Sequence, residues 1–140
     1  MKSPEPAPRL AETANASYGP TVIDQLQRGF SGETLNALQR ELEVPVDELA
    51  PQLGISKATW HRRTIPGGKL TLDESDRVYR FRRLYETAVQ VLESKEDAVH
   101  WLKAPQPGLG GHTPLDYART EVGAREVEQL LGRIDFGIYT

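Results

Sequence analysis

Residues 46–63 read VDELAPQLGISKATWHRR, two short helical patterns on either side of one glycine. Leu49 and Leu53 fall at i and i+4 on one helix face. Gly54 follows at the point where a helix stops with a residue at positive φ, and Ser56 is placed to cap a second helix. Ala50 puts a small side chain where two helices cross closely, Ile55 fills the angle between them, and Trp60 returns to the same core one turn later. The pattern predicts a helix-turn-helix. Its second helix then turns Lys57, Ala58, Thr59, His61 and Arg62 outward, the face that in a DNA-binding unit meets the major groove.

Working outward, the chain of 140 residues is long enough for one compact domain or two small helical units sharing a core. No apolar run approaches the roughly 20 residues of a membrane span, and the N-terminus has no charged segment followed by a greasy one, so a cytoplasmic protein is expected. Zero cysteines remove disulfide staples, thiolate metal sites and thiol catalysis. The net charge of -3 is unlike that of a nucleic-acid binder until it is divided along the chain. Residues 57–83 hold eight basic side chains against three acidic ones, and both flanks are net acidic. This distribution predicts a phosphate-facing surface in the middle of the sequence.

Residues 1–17 are rich in proline and alanine and poor in large apolar groups, which predicts a disordered arm. Pro20 opens a helix through Val22, Ile23 and Leu26 that Gly29 ends. Ser31 is placed to cap a second helix with Leu35, Leu38 and Leu42 on one face, and Pro45 marks its end. Pro51 lies inside the first helix of the helix-turn-helix, so with Asp47 as its cap that helix is expected to be short or distorted. After the turn TIPGGK at 64–69, Thr71 and Glu74 form a capping box for the longest helix. Its Val78, Phe81, Tyr85, Ala88 and Leu92 repeat at helical spacing, as core or as a dimer seam.

The second half begins with EDAVHWLK at 96–103, followed by the proline- and glycine-rich loop APQPGLGG at 104–111. Thr113, Pro114 and Asp116 start one helix, and Thr120 starts the last, with Val127, Leu130, Leu131 and Ile134 inward. The chain closes on DFGIYT at 135–140. Chain ends are usually polar, so Phe136, Ile138 and Tyr139 are expected to bury against something.

An isolated basic helix is most simply a solvated face. Beside the Leu, Ala, Gly, Ile, Trp spacing, however, the face formed by Ser56, Lys57, Ala58, Thr59, His61 and Arg62, extended by Arg63 and Lys69, is the candidate DNA interface. Arg62 or Lys57 would read guanine edges, Ser56 and Thr59 suit phosphate or base contacts, and Arg63 and Lys69 would neutralise phosphate. No catalytic constellation competes with it. His61, His100 and His112 have no i, i+4 partner or metal-ligand spacing, and GLGGH lacks the preceding strand and following Lys-Ser or Lys-Thr of a phosphate loop. Glu126 and Glu128 are spaced as ordinary helix-surface charges. Neither a metal nor a cofactor is expected.

Four stretches together resemble the Xre/MbcA/ParS-type antitoxins of RES-Xre toxin–antitoxin pairs. They are LGISKATWHRR at 53–63, LTLDESDRVYRFRRL at 70–84, AVHWLKAP at 98–105, and GLGGHTPLDYARTEVGAREVEQLLGRIDFGIYT at 108–140. The resemblance implies an all-α protein with an Xre-like helix-turn-helix unit over residues 18–70 and a helical toxin-binding and dimerisation domain over 71–140. It implies two partners, the operator DNA of its own operon and a RES-domain toxin that consumes NAD, and a homodimer that is not itself an enzyme. It further implies that the C-terminal end enters or covers the toxin's active-site cleft, which assigns Arg133, Ile134, Asp135, Phe136, Gly137, Ile138, Tyr139 and Thr140 to the toxin interface. The rival is a stand-alone helix-turn-helix regulator whose tail folds onto its own core.

Overall fold

The computed structural model describes residues 20–137, whose regular elements are all helices, with no strand among them and a single isolated bridge between Ser31 and Lys69. The arm expected over residues 1–17, and Ile138, Tyr139 and Thr140, lie outside the described residues. In chain order the helices are α1 (Pro20–Arg28), α2 (Glu33–Leu42), α3 (Val46–Leu53), α4 (Lys57–Arg63), α5 (Leu72–Leu92), α6 (Lys95–Lys103), α7 (Pro114–Tyr117) and α8 (Glu121–Asp135). A single 3-10 turn, Pro107–Leu109, lies between α6 and α7.

Helix α5 is the spine. It packs against α1, α2 and α3 from the first half and against α6 and α8 from the second, so both halves share one core. Val78, Phe81, Tyr85 and Ala88 are buried within the single chain and Leu92 is half-buried, which makes the stripe core and not an intersubunit seam. Leu84 and Ser75 join them. Ser75 is the buried polar residue of this core, and its hydroxyl accepts the Phe30 N–H at 2.8 Å, pinning the α1–α2 connection to α5. Satisfying that N–H is what makes a buried hydroxyl tolerable there.

The helix starts follow side-chain chemistry closely. Thr71 and Glu74 make the full capping box, the Glu74 N–H donating to Thr71 Oγ1 at 3.1 Å and the Thr71 N–H to Glu74 Oε1 at 2.9 Å. Thr113 and Thr120 cap α7 and α8 as expected. Two caps differ from the sequence reading. Gly32 occupies the N-cap of α2, with the Ser31 hydroxyl one residue earlier accepting the Glu33 N–H at 3.1 Å. Helix α3 starts two residues before the expected Asp47 cap, from the extended Pro45, because the Pro45 carbonyl accepts the Glu48 and Leu49 N–H groups. Pro51 is thus the sixth residue of a helix of only 8 residues, consistent with the expected shortness.

Several polar side chains tie the halves together by completing helix ends. Arg77 of α5 donates to the Leu53 carbonyl at 3.0 Å, and Lys103 at the end of α6 donates to the Glu43 carbonyl at 2.9 Å. Both acceptors are C-terminal carbonyls left over by their helices, where cations are favoured. Gln52 of α3 donates to Asp116 of α7 at 3.0 Å.

Candidate functional site

The turn between α3 and α4 is built as the glycine spacing predicts. Gly54 sits at φ 70, its N–H returns to the Ala50 and Pro51 carbonyls, and the Ile55 N–H reaches the Ala50 carbonyl at 2.9 Å. Leu49, Ala50, Leu53, Ile55 and Trp60 are all buried, which fixes the angle of α4 against α3 and leaves its opposite face in solvent. The C-terminus of α4 is clamped as well. A side chain on Gly32 would place a Cβ 1.7 Å from the Arg63 carbonyl oxygen, so the α1–α2 connection approaches this helix end by backbone alone.

On the exposed face, Ser56 caps α4 by accepting the Thr59 N–H at 3.0 Å, and its own hydroxyl donates to Thr59 Oγ1 at 3.0 Å. Thr59 Oγ1 also accepts from Arg62 Nη2 at 2.9 Å, which holds the guanidinium along the helix with its other N–H groups outward. Ala58, His61, Arg62 and Lys69 are exposed. Lys57 is exposed too, but its ammonium stands 2.8 Å from Asp47 Oδ1 of α3. That hydrogen bond, reinforced by the opposite charges, holds the Asp47 carboxyl below its ordinary value and raises Lys57.

Arg63 is placed differently from the rest. Its Nε and Nη2 donate to the two Glu74 oxygens at 2.8 and 3.1 Å, with side chains only 25% and 12% exposed. Burial pushes the Glu74 carboxyl up, but hydrogen bonds from Arg63 and from the Thr71 N–H outweigh it and leave it below its ordinary value.

The basic excess of residues 57–83 does not form the single phosphate-facing surface that the sequence predicts. Besides Arg77, Arg80 pairs with Asp76 at 3.5 Å and Glu121 at 3.3 Å, Arg82 pairs with Glu41 at 3.2 Å and Glu86 at 3.5 Å, and Arg83 donates to Glu128. These arginines sit on the spine helix, where acidic residues of α2 and α8 meet them. The cations left on the helix-turn-helix face without a carboxylate partner among the described residues are Arg62 and Lys69. The i, i+4 pairs Arg80–Asp76 and Arg82–Glu86 are visible as a spacing in the sequence, whereas Glu41, Glu121 and Glu128 come from distant elements that no spacing reveals.

The second candidate surface lies at the end of α8. Leu92, Trp101, Gln106, Pro107, Gly108, Leu130 and Ile134 line an open groove of about 350 Å³. Ile134 and Arg133 are half-buried, and Arg133 Nε is buried without a hydrogen-bond partner among the described residues. Asp135 is exposed, and Gly137 is exposed at φ 78 with its N–H on the Ile134 carbonyl. Phe136 is 81% exposed. Among the described residues, then, Phe136 has little cover. Of the histidines, His112 packs on Tyr117 with ring centroids 5.6 Å apart, and no group of three or more potential metal ligands occurs among the described residues.

A helix-turn-helix joined by one long helix to a second small helical unit is the architecture of a two-part helix-turn-helix protein. Residues 21–83 match the Antitoxin Xre-like helix-turn-helix domain, and residues 87–137 match the Antitoxin Xre/MbcA/ParS C-terminal toxin-binding domain. An Antitoxin Xre of Yersinia enterocolitica is 32% identical over 126 residues, covering 89% of this chain and 85% of that protein. An Antitoxin Xre of Photorhabdus laumondii is 35% identical over 124 residues, covering 88% and 84%. A Sphingobium protein named Prs ADP-ribosylating antitoxin is 23% identical over 136 residues, covering 89% and 86%. The chain belongs to the Xre antitoxin family, and is an antitoxin of a toxin–antitoxin system with a helix-turn-helix domain. The two matches meet inside α5, whereas the sequence reading draws its division at 70/71, just before that helix.

Proposed function

We propose that the chain neutralises a RES-domain toxin that consumes NAD, with residues 133–140 occluding the toxin's active-site cleft, and represses its own operon as a homodimer through α4. It acts by binding and is not an enzyme. The observation that carries the toxin half of this reading is Phe136. A large aromatic side chain 81% exposed, at the end of the helix that borders an apolar groove, is an anchor without a pocket. The DNA half rests on the exposed Lys57, Ala58, His61, Arg62 and Lys69 together with the half-buried Thr59. Ser56 contributes by capping the helix, and Arg63 by bracing it through Glu74 and not by reaching phosphate.

Deletion of residues 135–140 tests the reading against a stand-alone regulator. The truncated protein is expected to keep its helical spectrum and its binding to DNA from upstream of its gene, and to lose rescue of growth when the toxin encoded beside it is co-expressed. Retained rescue, or unfolding with no toxin co-purifying with the full chain, overturns it. The Sphingobium relative's name suggests a second partner chemistry, ADP-ribose transfer. Cellular NAD falling with free ADP-ribose released favours hydrolysis, whereas ADP-ribose found on a protein favours transfer.

A further inference from the structure

The face of α4 has few free cations, and one of them is already held. Lys57 is the first residue of α4, and its ammonium lies 2.8 Å from Asp47 in the first turn of α3, with Glu48 next to it, also exposed. Asp47 is 75% exposed and Lys57 61%, so the pair contributes little to holding the fold. Its position matters more than its stability. The first helix of a helix-turn-helix crosses the DNA backbone, and in this chain two carboxylates stand in its first turn.

We propose that Asp47 is a selectivity residue of the DNA-reading surface, which withholds Lys57 from generic phosphate contact and aims its ammonium at a base edge. The inference rests on the DNA-binding reading above. An ammonium has three donors, and one of them is occupied by Asp47, so two remain for acceptors such as guanine O6 and N7, with the pair biasing where they lie. A complex made only with phosphates must break the Lys57–Asp47 pair and bring phosphate oxygens towards the freed carboxylate. A complex that uses a base edge keeps the pair. The charge on Asp47 therefore weakens non-specific binding more than specific binding. Asp47 is a positioning residue here, acting through Lys57.

The experiment uses the full chain, with Asp47→Asn and Asp47→Glu, and two duplexes of equal length, one from upstream of the gene and one of random sequence. Asp47→Asn is expected to tighten binding to the random duplex roughly threefold or more at low salt and to steepen its log K against log salt by about 0.9, one further released counterion. The upstream duplex gains less, so the ratio between them falls, and Asp47→Glu restores the wild-type ratio. A purely structural role for Asp47 would move neither the salt slope nor the ratio. If wild type binds DNA and Asp47→Asn binds the random duplex with unchanged or lower affinity and slope, the role assigned to Asp47 fails while the DNA reading stands. If neither protein binds either duplex, both fail.

Discussion

Helices α4 and α5 carry similar runs of basic residues and put them to opposite uses. In α4 the cations at positions 57 and 62 stay in solvent, Lys57 against the exposed Asp47 and Arg62 against Thr59 of its own helix, whereas in α5 the arginines at 77, 80, 82 and 83 make part-buried contacts to carbonyls or carboxylates of other helices. Length explains much of the difference. A seven-residue helix with one buried face, at Trp60, has neighbours on one side only, and a 21-residue spine is surrounded. Around the spine, Glu41, Glu121 and Glu128 come from helices whose own apolar faces are already committed to the core. A positive run therefore marks a phosphate surface only where no acidic face has packed against it.

The comparison breaks most visibly at Arg82. Its guanidinium lies between Glu41 and Glu86, with all three side chains less than a third exposed. Arg82→Ala leaves two partly buried carboxylates facing each other and is expected to cost about 1–3 kcal/mol in denaturant unfolding, with DNA binding per folded molecule unchanged. A loss of DNA affinity without a loss of stability would return Arg82 to the phosphate surface. Glu74 gives a smaller and pH-dependent effect. Its folded carboxyl lies below its unfolded value, so the stabilisation is present above the unfolded value near about 4.3 and is lost as pH falls through the lower folded one. Glu74→Gln should flatten that acid limb of the stability curve and leave the neutral-to-alkaline limb parallel to wild type. An unaltered acid limb would mean that the Arg63 bond has no preference for the charged carboxylate.

Much of this was legible in the sequence, and the exceptions have a common cause. The helix-turn-helix core, the Thr71–Glu74 box, the Thr113 and Thr120 caps and the α5 stripe are local patterns, and each forms with the residues expected. The buried hydroxyl of Ser75, the turning of Arg63 to Glu74 and the pairing of Lys57 with Asp47 depend on which elements meet, so no period reveals them. The N-cap of α3 was misplaced for a different reason. Asp47 has the right side chain for a cap, but Pro45 fixes an extended backbone two residues earlier, and the helix starts from it. At the other end of the chain, the apolar character of DFGIYT was plain, whereas what covers Phe136 belongs to another molecule on the reading proposed here.

The smallest effect on stability separates α4 from α5 most sharply. Lys57→Ala and Arg62→Ala, alone or together, remove exposed side chains and are expected to change unfolding free energy by less than about 0.5 kcal/mol. Their effects on DNA should differ from each other. Arg62 has no carboxylate partner among the described residues, so its removal should lower the salt dependence on random-sequence duplex by about 0.9. Lys57 is already neutralised by Asp47, so Lys57→Ala should lower it far less in the wild-type background and by the full amount once Asp47 is asparagine. The double-mutant cycle between positions 47 and 57 therefore carries a coupling that the cycle between 47 and 62 lacks. Equal slopes for Lys57→Ala in both backgrounds would show that the carboxylate does not govern when this cation reaches DNA, and would put Lys57 beside Arg62 as a plain phosphate contact.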